Sequence, residues 1–403
     1  MPQVLHLDAA RLGLMSPSAQ RHQQAFARLA GDPRSALYWG EFLEGGWQAW
    51  PDELREEYPE LQFWGGTLHL RGRAQRLLEA SSETRVELAS RSGVLFSLAA
   101  SRLAKRAKRI LVTDALWPPY RKRLRVACRR HGADLVVCNL RDLIGRLGCA
   151  QDAIVEHVVR TAMTRRIEGV VLPIVDHLGV SLPVKDITRR IRGEAVSLSV
   201  LVDASQAVGH VPMVLRGGWC DALVAGAHKW LGGGNPLGFS ITEPNLIDPN
   251  GQDSAPSDPL YRFTEELAGR VRQPWGETAG IATLLTADGA LEDHGARVVK
   301  TNLLNRLKTK RLVAVMLKKA GWSSYAASEG SRSGVLVAKP FGRLKDGRFG
   351  ALLREHGIVA STTRRGALRF SMPATSLTGT ESNRLAGFLE SFRGKAESRP
   401  TPC

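Results

Sequence analysis

The chain predicts an α/β protein: a mostly parallel sheet with helices around it, followed by a smaller α+β unit. Three observations carry this expectation. From about residue 83, short apolar runs alternate with longer segments of helical pattern. The runs are apolar on both faces, as strands covered on two sides by helices must be. After about residue 285 the alternation gives way to a different pattern.

In order, the strand-like runs are RILVTD (109–114), ADLVVC (133–138), GVVLPIV (169–175), VSLSVLVDA (196–204) and DALVAGA (221–227). Amphipathic segments lie between them, such as GVLFSLAASRLAKRA (93–107) and YRKRLRVACRRHG (120–132). A long helical pattern at 286–321, broken once, then leads into SGVLVAKP (333–340), FGALLREHG (349–357) and ALRFSMP (367–373). The expected division is a large domain at 31–285, a small domain at 286–394 and a disordered tail at 395–403. Residues 38–66 are rich in Trp and Tyr and follow neither the helical nor the strand period.

The 403 residues are enough for a large core, and 56 Lys and Arg against 39 Asp and Glu give a net charge of +17. The basic clusters RLAKRAKR (102–109) and YRKRLRVACRR (120–130) lack the interleaved aromatics that stack on bases, so a solvated basic face is favoured over nucleic-acid binding. The five cysteines are scattered, with no CxxC pair, which matches a reducing cytoplasm. The N-terminus shows no signal-peptide pattern, and no apolar run approaches the roughly 20 residues of a membrane helix. No metal-ligand spacing is present, and His131, His157, His177 and His294 read as structural or surface residues. The glycines at 232–234 are not a phosphate loop, because no Gly-Lys-Ser/Thr follows, and no Gly-x-Ser-x-Gly elbow occurs.

The segment GAHKWLGGG (226–234) holds the residue that most needs explaining. Lys229 follows an apolar strand, and lysine is rarely fully buried unless paired. Ligands of open α/β sheets bind at the carboxyl ends of the strands. Asp203 ends VSLSVLV, and Lys229 closes the next strand 26 residues later. If the two strands are neighbours, both side chains face one crevice. A buried lysine of lowered pKa is what Schiff-base chemistry requires. A carboxylate beside it can hold a pyridinium nitrogen protonated, and the two together are how a protein tunes pyridoxal phosphate.

VDASQAVGH (202–210) followed by CDALVAGAHKWLGGG (220–234) closely resembles the class V aminotransferase family of fold type I pyridoxal-phosphate enzymes. That family includes cysteine desulfurases, selenocysteine lyases, kynureninase and isopenicillin N epimerase. The resemblance implies a mostly parallel seven-stranded sheet in the large domain and a smaller α+β C-terminal domain. By it, Lys229 forms the aldimine, Asp203 pairs with the pyridine nitrogen, Gln206 hydrogen-bonds the ring oxygen and His228 lies near the cofactor. LHLDAARLGLMSP (5–17) looks like the family's N-terminal segment, which makes residues 1–30 a lead-in packed with the small domain.

Further stretches extend the resemblance. ASRSGVLFSLAA (89–100) stands where the family opens a helix on the phosphate, so Ser90, Arg91 and Ser92 would offer N–H groups, hydroxyls and a cation. The usual Gly-Thr is Arg-Ser here. Trp117 stands where an aromatic ring or histidine stacks on the cofactor. Asp176, in LPIVDHLGVSLPV (172–184), replaces a common asparagine near the ring oxygen; an acid there is repelled unless protonated or turned away. PWGETAGIATLL (274–285) matches a segment crossing a homodimer interface, with Thr278 reaching the partner's phosphate. GALRFSMP (366–373) matches the strand whose arginine, Arg369, grips the substrate carboxylate. Gly226 replaces a frequent phosphate-binding serine, and Arg91 compensates with charge.

These features imply a cytoplasmic homodimer acting on an α-amino acid through a lysine aldimine and a Cα carbanion. Aminotransferase-type chemistry comes first, with β-elimination of the C–S lyase kind or epimerisation as alternatives. The desulfurase route is disfavoured, because HGIVASTTRRGALRF (356–370) contains none of the family's loop cysteine. A non-catalytic homologue binding nucleic acid on its basic face ranks last, since no helix-turn-helix extension is present.

Overall fold

The computed structural model describes residues 4–148, 150–194, 197–247, 257–270, 280–340, 348–363 and 366–392. The strands are β1 (Leu5–His6), β2 (Arg85–Ala89), β3 (Arg109–Thr113), β4 (Asp134–Cys138), β5 (Gly169–Pro173), β6 (Ser199–Asp203), β7 (Ala222–Gly226) and β8 (Gly238–Thr242). The C-terminal part adds β9 (Ser323–Ser324), β10 (Val335–Lys339), β11 (Ile358–Val359), β12 (Ser361–Thr362) and β13 (Leu368–Ser371).

Strands β2 to β8 form a seven-stranded sheet in the order β2-β8-β7-β6-β5-β3-β4. Only β8 runs against its neighbours. The other adjacent pairs are parallel, so the carboxyl ends of β2, β3, β5, β6 and β7 gather on one edge. All five expected strand runs lie in this sheet, with their ends trimmed. In β3, β5, β6 and β7 the Val, Leu and Ile side chains are buried on both faces, which the parallel crossovers demand, whereas β4 at the sheet edge leaves Val137 exposed.

In this sheet two strands escaped the sequence reading, β2 and β8. A glutamate, Glu87, sits at the centre of β2 and breaks its apolar run. The fold neutralises it with Arg102, from the helix Ser92–Arg106, in a bidentate pair with both N···O distances at 2.8 Å. Ser240 of β8 donates a third hydrogen bond at 3.0 Å. Glu87 and Arg102 are both buried, so each depends on the other for its charge to be tolerated.

In the C-terminal part, β12-β13-β10-β9 make a four-stranded antiparallel sheet. It packs with the helix Ala296–Lys319 around Val313, Leu317, Leu336, Phe370 and Phe388. The expected long helix is broken between Glu292 and Ala296, into Ile281–Glu292 and Ala296–Lys319. The division expected at 285/286 therefore falls inside the first of these helices. That helix buries Leu284, Leu285, Ala287 and Ala290 in the core of the large sheet.

The N-terminal segment joins the two units. β1 pairs in parallel with β11, and Leu5 and Leu7 enter the small core. The chain then crosses to the helix Pro17–Leu29, which lies along Ile281–Glu292. Gly289 permits this approach, since a Cβ there would come within 2.8 Å of the Ala19 nitrogen. Residues 38–66 resolve into short pieces, with helices at Trp39–Gly45 and Asp52–Glu57 and 3-10 turns between them. Their rings meet across turns, as where Phe42 stacks on Trp50 at 4.3 Å and Trp64 Nε1 donates to the Phe42 carbonyl at 2.7 Å. Contacts made across turns leave no period in the sequence.

Candidate active site

The carboxyl edge of the large sheet collects most of the expected site. Ser90, Arg91 and Ser92 follow β2, Trp117 follows β3, and Asp176 follows β5. Asp203 ends β6, and His228 and Lys229 follow β7. β6 and β7 are parallel neighbours with Asp203 opposite Val224, so Asp203 and Lys229 stand on the same edge of the sheet, close enough for each charge to shift the other's pKa.

Lys229 is half-buried, and its ammonium has no hydrogen bond or ion pair among the described residues. Burial pushes its pKa down to about 8; Asp203 opposes the shift and Arg369 adds to it. The N-terminal segment covers this lysine. Gly13 N–H donates to the His228 carbonyl at 2.9 Å, and Ser16 N–H to that of Gly232 at 2.8 Å. A Cβ at Gly13 would lie 1.9 Å from the Lys229 carbonyl oxygen, so only glycine passes here. His228 is held down to about 4 by burial, with Lys229 and Arg91 adding to the effect, and its buried Nδ1 has no partner.

The Asp203 carboxylate is buried and accepts the Ser205 N–H at 2.9 Å. Burial raises its pKa, opposed by the Ser205 hydrogen bonds and by Lys229. Gln206 spends part of its amide on the protein. Its Nε2 donates to the Ala10 carbonyl at 2.7 Å, and its Oε1 accepts Trp230 Nε1 at 2.8 Å. One amide hydrogen is left for another acceptor.

Ser90 belongs to a local tie: its N–H donates to Asp258 Oδ1 at 3.1 Å and its hydroxyl to Asp258 Oδ2. The anion-facing groups left in this turn are the exposed Arg91, Ser92 and the N-terminus of the helix Ser92–Arg106, which has no side-chain cap. Gly238 lets β8 pass beneath, since a Cβ there would meet Ser92 N at 2.3 Å. At Gly226 a Cβ would stand 3.0 Å from His228 Cε1, so the histidine crowds the place of a serine.

Asp176 differs from the expectation of a cofactor contact. Its Oδ1 accepts the N–H groups of Leu178 and Val180 at 2.9 and 2.8 Å, and its Oδ2 lies 3.1 Å from Arg141 Nη2. Both oxygens are committed, and the acid is a tie for its own turn.

Trp117 stands at the start of the helix Pro118–His131, 45% exposed and edge-on to Tyr120 at 5.1 Å. Thr278 lies outside the described residues. Arg369, on β13, reaches back from the small unit. Its Nη1 donates to the His177 carbonyl at 3.4 Å, its Nη2 to Ser361 Oγ at 3.2 Å, and Asp8 Oδ1 lies 3.7 Å away.

Sequence reasoning missed several residues here. Tyr120 OH donates to Ser92 Oγ at 2.8 Å and lies 3.4 Å from Ser205 Oγ, so it links the β2 turn to the Asp203 turn. His177, read as isolated, is held down to about 4 by burial, and Arg141, Arg369 and Arg121 add to this. Its position directly after Asp176 was the available signal. Among the described residues no cluster could hold a metal ion, and no helix is long and apolar enough to cross a membrane.

The donor set matches pyridoxal phosphate. Lys229, unpaired and of lowered pKa, would take the aldehyde, buried Asp203 would face the pyridinium nitrogen, and the uncapped helix end with Arg91 would hold the phosphate. Residues 70–242 match the family model described as aminotransferase class-V. No curated protein matches the chain. Among solved structures, the cysteine desulfurase CsdA (S-sulfonic acid) from Escherichia coli is similar with a TM-score of 0.72 at 16% identity, over 96% of this chain and 94% of that one. The cystine C–S lyase C-DES, in complex with its product cysteine persulfide, gives 0.69 at 14% identity, over 97% and 98%. An aspartate aminotransferase of subgroup IV from Thermus thermophilus gives 0.65 at 16%, over 97% and 99%. At such identities the likeness shows a shared fold, that of the fold type I enzymes. The matched segment carries strands β2 to β8 of the large sheet, so the class-V aminotransferase match and the fold type I likeness fall on the same part of the chain, the part that holds Asp203 and Lys229.

Proposed function

We propose that the enzyme transforms an α-amino acid by aminotransferase-type chemistry, with Lys229 as the proton carrier. The supporting observation is the pairing of Asp203 and Lys229 at the ends of adjacent parallel strands, with Arg369 near enough for its charge to lower the lysine's pKa. Bound here, pyridoxal phosphate supplies the electron sink for bond breaking at the substrate Cα. Burial lowers the Lys229 pKa to about 8, so part of its amine is unprotonated and able to take a proton from Cα and return it. Asp203, fixed by Ser205, holds the pyridine nitrogen's proton. Arg369 binds the substrate carboxylate, and Arg91 with the Ser92 helix end binds the phosphate. Neutral His228 would pack near the ring, Trp117 would offer it an aromatic face, and Gln206 would give its remaining N–H to the ring oxygen.

β-Elimination is the second reading. It is favoured by the missing cysteine in 356–370, which leaves no nucleophile to take up sulfur as a persulfide on that loop, and by the fold likeness to a C–S lyase. One assay panel separates the readings. Amino acids are supplied with and without a keto-acid acceptor, and new amino acid, ammonia, pyruvate and sulfide are measured. Acceptor-dependent amino transfer without ammonia is expected. Ammonia and pyruvate released without acceptor would establish elimination instead, and no turnover of any amino acid would defeat both. In the same assay Arg369→Ala is expected to weaken amino-acid binding by about 2–5 kcal/mol, with the cofactor retained.

We place the enzyme in the cytoplasm, on the support of buried, unpaired Cys128, Cys138 and Cys220. We also take it to be a homodimer, with Thr278 serving the partner's phosphate. A fully active monomer in sedimentation would contradict that.

A further inference from the structure

We propose that His210 is a positioning residue, a clasp that sets the arginine of the small unit against the Asp203 turn. The proposal rests on the reading of the site given above. His210 is fully buried, beyond the end of β6. Its Nε2 lies 2.7 Å from the backbone nitrogen of Gly334, which opens β10. A backbone N–H can only donate, so Nε2 is the acceptor and carries no proton. Nδ1 therefore holds the proton and donates it to the Gln206 carbonyl at 2.7 Å. One neutral ring thus joins the turn of Asp203 and Gln206 to the small sheet.

Both ends of the clasp lead into the site. On one side, Gln206 is locked by Ala10 and by Trp230, and the His210 ring stacks on Trp230 at 3.7 Å. On the other, the Gly334 carbonyl accepts the Met372 N–H at 2.7 Å, directly after β13. β10 then pairs with β13 so that Val337 stands opposite Arg369. The Gly334 bond accordingly fixes the strand that carries Arg369. Arg306, from the helix Ala296–Lys319, closes the same joint. It lies 5.1 Å from the Trp230 ring centroid, and its Nη1 donates to the Gly209 carbonyl at 3.3 Å. Burial, with the charges of Arg306 and Lys310, keeps the ring neutral, as the acceptor role of Nε2 requires. Gly334 is glycine because a Cβ would stand 3.0 Å from Arg306 Cβ and 3.1 Å from His210 Nε2.

Two amides divide the ring's functions. His210→Gln puts an amide where Nε2 stood and can still accept from Gly334. His210→Asn puts one where Nδ1 stood; it keeps the Gln206 bond and leaves the Gly334 N–H unpaired. The readout is capture of the bound cofactor, followed by absorbance, with aminooxyacetate and with hydroxylamine. The first reagent carries a carboxylate for Arg369 and the second does not. His210→Asn is expected to slow aminooxyacetate about tenfold while leaving hydroxylamine unchanged, as loss of one buried hydrogen bond suggests. His210→Gln is expected to stay within about threefold of wild type for both. If His210→Asn does not fold, Gly334→Ala strains the joint from the other side and is expected to give the same selective loss. Equal rates in all variants, or equal slowing of both reagents, would overturn the clasp. A wild-type protein whose absorbance hydroxylamine does not change would instead overturn the cofactor reading beneath it.

Discussion

The Lys229→Ala protein is expected to turn over its amino acid about a thousandfold more slowly than wild type, or worse. The loss comes from chemistry and not from folding. The ammonium has no partner among the described residues to leave stranded, and the strand before it keeps its register through Leu223 and Val224. Lys229→Arg is expected to fare no better, because a guanidinium stays protonated and cannot take up a Cα proton. Single-turnover kinetics, with cofactor occupancy and melting temperature measured alongside, check this. Near-normal rates from a folded Lys229→Ala protein would remove the lysine from the proposed role.

The second large effect is on stability. Removing one partner of the Glu87–Arg102 pair is expected to cost about 3–5 kcal/mol, because the remaining buried charge loses its bidentate partner. Burial by itself would raise the Glu87 pKa, but Arg102, Arg85 and the Ser240 hydroxyl outweigh it and hold the carboxyl below its ordinary value. A depressed folded-state pKa gives stability that is present above the unfolded-state value and lost as pH falls through the folded one. The gap between wild type and Glu87→Gln should thus be full at pH 7 and shrink in acid, below about pH 4. Urea unfolding across that range measures it. The double variant Glu87→Leu/Arg102→Met, which strands no charge, is expected to recover most of the loss. A double variant as unstable as the single ones would show that packing, and not charge, sets the cost.

What was legible in the sequence was local. Asp203 and Lys229 stand within motifs at the ends of apolar runs, and parallel pairing of β6 with β7 is the simplest arrangement of such runs. The illegible parts depend on partners far along the chain. β2 was hidden by Glu87, whose neutralising arginine is 15 residues away on a helix. Tyr120 looks like any residue on an amphipathic helix until its hydroxyl meets Ser92. His210 sits in a quoted motif, yet its meaning comes from Gly334, 124 positions on. Asp176 was recognised as a departure, and the Arg141 that resolves it belongs to a helix the sequence reading did not isolate. The break between Glu292 and Ala296 was not legible at its place, because one helix pattern runs on from Ile281 and the break carries only a weak glycine signal.

The central claim is that Lys229 holds pyridoxal phosphate covalently. Borohydride reduction of the cofactor-loaded protein, followed by peptide mass mapping, tests it directly. A pyridoxyl mass is expected on the peptide containing Lys229 and on no other. A label on a different lysine, or a yellow protein from which borohydride fixes no label at all, would contradict it.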